Sequence, residues 1–170
     1  MENKLEFRFA EEKDTPLILY FIKELAVYEK MLEEVVATAE TLEEWIFQKK
    51  KAEVFFAVAD GKEVGFALFF HNFSTFLGKA GLYLEDLFIL PEYRGKGYGK
   101  AIFRKLAQIA VERGCGRMEW SCLDWNSSSI RFYRSLGAVS MDEWTTYRLA
   151  GDALEKCSCT VRKQATENKR

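Results

Sequence analysis

The chain has 170 residues, which suits one domain, and 48% of them are hydrophobic and 15% aromatic, enough for a sizeable core. Its 25 basic and 26 acidic residues give no net field for nucleic acid or an anionic membrane. No stretch approaches the roughly 18 consecutive apolar residues of a membrane span, and the N-terminal Met-Glu-Asn-Lys lacks the apolar core of a signal peptide. We therefore expect a cytoplasmic protein that binds neither nucleic acid nor membrane.

The cysteines and the single histidine limit the possible chemistry. Cys115, Cys122, Cys157 and Cys159 form no Cys-x-x-Cys pair, so a structural zinc site lacks ligands and no metal is expected. Reduced thiols are the default expectation. His71 lies at the end of an aromatic strand, where we interpret it as a structural or surface residue, and this argues against a Ser-His-Asp hydrolase.

The first half of the chain predicts two helices and an antiparallel set of strands. Residues 5–9 alternate like a short strand, and Asp14 is a suitable N-cap for an amphipathic helix that ends near Glu29. Thr41 and Glu44 have the spacing of a capping box, which predicts a second helix that ends near Lys50. Apolar runs then predict two successive hairpins, with strands at 54–59, 63–70 and 82–90 and turns at 60–62 and 73–81.

The second half predicts parallel pairing. Apolar residues at three-to-four spacing indicate a helix at 97–113, and 117–123 is the next strand. A strand, helix, strand unit requires parallel neighbours, so the sheet should be antiparallel on its N-terminal side and parallel in its middle. A short helix is expected at 127–136, ending at Gly137, and a last strand at 144–149.

The predicted fold class is therefore α/β, with helices flanking a mixed sheet in a single domain over residues 1–150. Residues 151–170 follow as a C-terminal tail, whose end is polar and lacks aromatic residues from about Cys157 onward. We expect this tail to be partly flexible or to lie at a dimer interface.

The loop before the helix at 97–113 carries alternate glycines. Gly95, Gly97 and Gly99 permit positive φ and bring backbone N–H groups close to a ligand, where the helix dipole adds positive potential. The surrounding cations are Arg94, Lys96, Lys100 and Arg104. Together these features predict a phosphate site that suits a diphosphate. Glycines before a helix can also serve only as turn residues, and the spacing matches neither the dinucleotide motif nor the P-loop.

Charge is segregated along the chain. Basic residues predominate over 94–113, whereas acidic residues predominate over 29–44. The first segment suits an anion and the second suits a cation.

Two motifs carry a family resemblance. Arg94, Gly97 and Gly99 after an apolar strand resemble the acetyl-CoA loop of the GNAT acetyltransferase superfamily. The second motif strengthens the resemblance, and it consists of Asn126, then Phe-Tyr ending at Tyr133, then Gly-Ala. Taken alone, Asn126 would be interpreted as an N-cap and Tyr133 as a core aromatic residue. Nearly the whole chain resembles the diamine acetyltransferases, the spermidine/spermine and thialysine branch. The stretches concerned are 22–29, 64–67, Gly78, 82–86, 93–99, 125–126 and 129–133.

That resemblance implies acetyl-CoA as cosubstrate, a small amine as substrate, and a homodimer with the C-terminal region near the partner. The residues that it assigns to the substrate amine are Tyr28, Glu29, Glu85, Glu119, Trp120 and Ser121. Those assigned to acetyl-CoA are Leu87, Phe88, Ile89, Arg94, Gly95, Lys96, Gly97, Tyr98, Gly99, Lys100, Asn126, Ser127, Ser128 and Ser129. The segment 119–121 matches that branch poorly, which leaves the identity of the amine open.

The implied catalytic residues suit amine acetylation. An alkylammonium has a pKa of about 10.4 and must lose a proton before its nitrogen attacks a thioester. Glu85 would attract the cation and take this proton, directly or through water, and Tyr133 would protonate the departing thiolate. The transfer would be direct, within a ternary complex, so no cysteine need be catalytic. The other interpretation of Glu85 and its neighbour Asp86 is a carboxylate pair that is solvated or bonded to arginine.

Two alternatives remain open. An enzyme of the same fold that acts on a protein N-terminus or an aminoglycoside would also use acidic residues to hold a cationic substrate. A binding module could retain the CoA loop as a sensor without turnover, although the presence of Glu85 and Tyr133 argues against it.

Overall fold

A computed structural model describes residues 5–167, with side chains up to residue 159. The chain forms two compact units that divide between Leu123 and Asp124. The helices of the first unit are α1 (Thr15–Glu29), α2 (Ala39–Glu43) and α3 (Tyr98–Glu112). Those of the second are α4 (Ser127–Ser135) and α5 (Gly151–Glu167). Within the described part of the chain, no helix has the length and apolar character needed to cross a membrane.

The first unit contains a five-stranded mixed sheet in the order β1-β2-β3-β4-β5. Its strands are β1 (Glu6–Phe9), β2 (Glu53–Ala59), β3 (Lys62–Ser74), β4 (Lys79–Ile89) and β5 (Met118–Trp120). The first four pair antiparallel, and β5 pairs parallel to β4. The predicted mixed α/β sheet is therefore confirmed. β3 and β4 are longer than predicted and β5 is shorter.

Helix α1 packs on one face of the sheet through aromatic contacts. Its Phe21 is fully buried and stacks on Phe66 of β3 at 5.3 Å between ring centres, and the same cluster includes Phe56 and Phe88. Burial of each such side chain is worth about 1.5–3 kcal/mol. Beyond this core, the ring of Tyr28, in the last turn of α1, lies 6.3 Å from that of Phe88 on β4. The packing thus brings the C-terminal end of α1 to the end of β4.

Helix α3 buries one face, as its sequence period predicts. Ile102, Leu106 and Ile109 are buried at the expected spacing, while Arg104, Ala107 and Gln108 on the other face are exposed. The loop of residues 90–97 joins the end of β4 to the N-terminus of this helix.

A β-bulge interrupts the pairing of β3 with β4. Leu68 pairs with Asp86 and the next residue, Phe69, pairs with Leu84, so Glu85 is an extra residue without a partner in the register. Such a bulge redirects the side chains around it. Glu85 is exposed at this point, and Asp86 is half-buried.

The predicted last strand at 144–149 is wrong. Within the described residues, this segment has no regular secondary structure and pairs with no strand, and Trp144 and Tyr147 are 76% and 92% exposed. Its aromatic residues favour extended structure, but this preference does not determine whether the segment pairs with a strand.

The ends of the helices also differ from the prediction. The capping box begins at Thr38, because Thr38 and Thr41 exchange hydrogen bonds of 3.2 and 2.9 Å, and α2 therefore starts before residue 41. A π-helical turn over Glu44–Gln48 follows. Asp14 precedes α1 as predicted, but its carboxylate accepts hydrogen bonds from Arg8 and from the Glu11 N–H instead of capping the helix. The predicted tail is helical to Glu167, and residues 168–170 lie outside the described residues.

Candidate functional site

The glycine loop has the backbone conformation that the sequence predicts for an anion cradle. Gly95 and Gly97 have φ values of 76° and 80°, and a Cβ at either position would meet no atom within 4 Å. Gly97 is the N-cap of α3, and it offers no side chain to cap the first turn. The first N–H groups of a 15-residue helix thus lie beside open space. This arrangement fits a phosphate group.

The side chains of the loop point to different surroundings. Lys96 and Lys100 are exposed, with the Lys96 ammonium 5.1 Å from the centre of the Tyr93 ring. The Tyr98 side chain is 7% exposed, and its hydroxyl is buried without a hydrogen-bond partner in the described structure. Any contact of Tyr98 with a ligand would therefore come from its backbone. Gly99 lies inside the first turn of α3.

Arg94 folds its side chain back onto the end of β4. Its Nε donates a hydrogen bond of 2.9 Å to the carbonyl of Ile89. Its guanidinium carbon lies 4.8 Å from the centre of the Tyr28 ring and 5.0 Å from that of Phe88. Among the residues predicted for acetyl-CoA and for the amine, these four are brought together by the structure.

The end of β4 also presents free backbone edge. β5 pairs with β4 only over Leu82–Leu84. In the described residues, the edge of β4 that faces away from β3 has no strand beside it from Glu85 to Ile89. This is the stretch in which backbone contacts to the pantetheine arm are predicted, although the Ile89 carbonyl already accepts the bond from Arg94.

Three carboxylates interact electrostatically near the ends of α1 and β4. Burial, and then the charges of Glu85 and Glu29, raise the pKa of Asp86 to about 7. Burial also raises the pKa of Glu29. Removing a carboxylate from water and placing it beside like charges both disfavour its ionised form. A cationic ligand would relieve that repulsion, so this cluster of Glu29, Glu85 and Asp86 suits an amine.

The three residues predicted on β5 and just after it have partners within the first unit. Glu119 accepts a hydrogen bond of 2.8 Å from the Asn72 side-chain amide and pairs with Arg117 at 3.1 Å. The Trp120 ring packs edge-on to Phe103 at 5.0 Å. Ser121 shares a 2.9 Å hydrogen bond with the hydroxyl of Tyr83. Their observed contacts are thus with neighbouring strands and with helix α3.

The second unit holds the remaining predicted residues on α4. Asn126 is its N-cap, with Oδ1 accepting a 3.2 Å bond from the Ser129 N–H. Ser127 and Ser128 are exposed in the first turn. Tyr133 lies on the same helix with its ring 5.6 Å from that of Phe132. Gly137 follows the helix with a φ of 85°, as predicted for a C′ glycine.

Sequence reasoning missed two features of this site. Asp86 was considered only with Glu85 as a carboxylate pair, because a strand pattern gives no signal that burial and the charge of Glu29 act on it. The contact of Arg94 with Tyr28 joins residues far apart in the chain. A basic residue before a glycine loop gives no signal of where its side chain will pack.

Comparisons with known proteins agree with these features. The family described as Acetyltransferase (GNAT) matches residues 19–138. A thialysine N-epsilon-acetyltransferase of Sus scrofa is 35% identical over 161 residues, covering 88% of this chain and 94% of that protein. A spermidine/spermine N(1)-acetyltransferase-like protein of Homo sapiens is 35% identical over 160 residues, covering 88% of this chain and 23% of its own. A solved integron cassette protein from V. cholerae has 29% identity and a TM-score of 0.76, covering 93% of this chain and 98% of its own.

Proposed function

Because the chain belongs to the acetyltransferase (GNAT) family and is an acetyl-transferring enzyme, we propose that it transfers the acetyl group of acetyl-CoA to a primary amine of a small cationic substrate. The substrate class is a polyamine or a lysine-like amine. The names of the relatives at 35% identity, which concern thialysine and spermidine or spermine, support this choice.

One observation carries the proposal. β4 leads at its end into the glycine loop, whose open backbone fits an anion, and its Asp86 lies near enough to Glu85 and Glu29 to be affected by their charges. Such a strand end suits two reactants. One is a thioester that carries a diphosphate, and the other is a positively charged amine. Gly95 and Gly97 fit the first and the carboxylates fit the second.

The carboxylates would prepare the amine for attack. The ammonium must lose its proton, and a carboxylate with a pKa near the working pH is the most effective acceptor. The pKa of Asp86, about 7, meets that condition, and Glu85 lies next to it in the bulge. We assign the role to this pair, with Glu85 as the exposed member that first meets the amine.

The thioester would be held along β4. Backbone N–H groups near Leu87 can polarise its carbonyl, since a preorganised donor stabilises the oxyanion of the tetrahedral intermediate. The amine nitrogen bonds to the carbonyl carbon and the carbon–sulfur bond breaks, so the CoA thiolate leaves. Tyr133 gives that thiolate its proton. No acyl-enzyme forms in this scheme.

A screen of amines with acetyl-CoA, monitored by release of free thiol, tests the proposed function. We expect turnover with diamines, polyamines or lysine analogues and little with a neutral aromatic amine. If the enzyme prefers an aminoglycoside or a protein N-terminus, that substrate class would replace the one proposed. Binding of acetyl-CoA without turnover on any amine would indicate a sensor and contradict the proposal.

We also propose that the protein is a cytoplasmic homodimer. The second unit leaves large apolar side chains at least half exposed, and a second copy of the chain would cover them. They are Val139, Met141, Trp144, Tyr147 and Leu149. The four cysteines are free, as a reducing compartment permits. Sedimentation equilibrium gives the test, and a monomer at micromolar concentration would contradict the dimer.

A further inference from the structure

The side chain of Arg94 connects three elements of the first unit. It leaves the glycine loop, donates to the last carbonyl of β4 at Ile89, and lies against the rings of Tyr28 and Phe88. Tyr28 belongs to the last turn of α1, and Lys30, the residue that follows this helix, has a left-handed backbone conformation. One exposed guanidinium therefore joins the loop, the end of the strand and the end of the helix.

These contacts suit the planar shape of the guanidinium as well as its charge. A cation within about 6 Å of an aromatic ring centre is attracted to the ring face, with about 0.5–1 kcal/mol at exposed sites. The Nε–H bond to Ile89 fixes the plane of the group. A lysine ammonium carries the same charge but has neither the planar surface nor an Nε donor along its stem.

The position of Tyr28 matters because of the residue that follows it. Glu29 is one of the two charges that act on Asp86. Whatever fixes the Tyr28 ring also fixes the end of the helix that carries Glu29. Arg94 therefore fixes the position of the amine-binding residues relative to the glycine loop.

We propose that Arg94 is a positioning residue for the amine-binding side of the site, acting through Tyr28 and Phe88 instead of serving as a ligand of the diphosphate. The inference rests on the proposed function for its substrate. It leaves the binding of the diphosphate to the loop N–H groups and to the exposed Lys96 and Lys100. Tyr28 and Glu29 then depend on a residue from the opposite side of the site.

Steady-state kinetics of Arg94→Met separate the two roles. We expect the KM for the amine to rise about two- to fivefold, the factor that corresponds to an exposed cation–π contact, and the KM for acetyl-CoA to change less. Lys96→Met is the matched loop variant, and it should raise the KM for acetyl-CoA and leave the amine KM alone. A rise confined to the acetyl-CoA KM in Arg94→Met would overturn the proposal.

Arg94→Lys distinguishes shape from charge. We expect the amine KM of this variant to stay close to that of Arg94→Met, since the ammonium cannot reproduce the planar contact and the bond to Ile89 together. Full rescue by lysine would contradict positioning by the guanidinium. Lys49→Met removes a cation 3.9 Å from the Trp45 ring elsewhere in the unit and should change neither KM.

A double-mutant cycle on stability tests the contact without any turnover. If Arg94 acts through Tyr28, the decreases in melting temperature of Arg94→Met and Tyr28→Leu should sum to more than that of the double variant, because the second change has no contact left to remove. Strict additivity would overturn the proposal. A wild type that acetylates no amine would instead disprove the proposed function, and the cycle would still decide whether the two residues are coupled.

Discussion

Asp86 on β4 and Glu29 at the end of α1 lie close enough for the charge of Glu29 to raise the pKa of Asp86. Burial is the larger cause, and Glu85 contributes a second like charge. The carboxyl group consequently changes its protonation near neutral pH. This property depends on tertiary packing, since burial acts on Asp86 most and Glu29 belongs to a different element, α1.

The first prediction concerns the pH dependence of activity. If Asp86, next to Glu85, accepts the proton of the ammonium, kcat/KM should rise with pH through an apparent pKa near 7. Glu29→Gln removes one of the like charges, so it should move this acidic limb to lower pH. Measurement of kcat/KM at saturating acetyl-CoA from pH 5 to pH 9 gives the limb. An unchanged limb in Glu29→Gln and in Asp86→Asn would exclude Asp86 from the titration.

The second prediction concerns stability. The pKa of Asp86 is about 7 in the folded state against an ordinary value of 3.8, so the folded protein binds this proton more tightly. The resulting stabilisation is complete below the ordinary pKa and is lost as the pH rises through 7. Asp86→Asn cannot titrate, so its free energy of unfolding relative to wild type should increase with pH, by at most about 4 kcal/mol.

Urea unfolding at pH 4, 6 and 8 measures that difference. The exposed Thr75 provides a control, because Thr75→Ala changes no titratable group and should differ from wild type by a constant amount across the range. A constant difference for Asp86→Asn as well would mean that its carboxyl keeps an ordinary pKa in the folded state.

The third prediction tests the anion cradle. Gly97→Glu adds a side chain and a negative charge beside the N-terminus of α3, and it should abolish detectable binding of acetyl-CoA in isothermal titration. Gly61, in the turn between β2 and β3, has a φ of 73° and equally open surroundings. Gly61→Glu therefore introduces comparable backbone strain away from the loop. Equal acetyl-CoA affinity in the two variants would place the phosphate site elsewhere.

Local sequence rules predicted the parts of the fold that local physics determines. The apolar period of α3, the positive φ of Gly95 and Gly97 and the glycine after α4 at Gly137 each depend on residues within a few positions of one another, and each is found as expected. The strand at 144–149 was wrong because strand formation requires pairing with another strand, and no local pattern reports whether that pairing forms.

The candidate site was predictable only in part for the same reason. The glycine loop and Glu85 could be found because motifs mark them. The raised pKa of Asp86 and the packing of Arg94 on Tyr28 depend on α1 and β4 meeting in space. The roles of Glu119, Trp120 and Ser121 stay predictions. Their contacts with neighbouring strands and with α3 could not be predicted from a segment that matches the family poorly.

The last prediction is that Tyr133 is the general acid. Tyr133→Phe removes one hydroxyl and keeps the ring that lies beside Phe132 on α4, so it separates chemistry from packing. General acid catalysis contributes roughly 10²–10⁴-fold, and a thiolate is a tolerable leaving group, so we expect kcat to fall near the lower end of this range. Acetyl-CoA affinity and the folded fraction should stay close to wild type, because the lost interaction belongs to the transition state.

Tyr147→Phe removes a hydroxyl from a side chain that is 92% exposed and should leave kcat unchanged. Wild type should also lose kcat at high pH as the phenol of Tyr133 ionises, and Tyr133→Phe should lack that limb. If Tyr133→Phe keeps full kcat and the same pH profile, the thiolate leaves unprotonated or takes its proton from water, and Tyr133 serves only to pack α4.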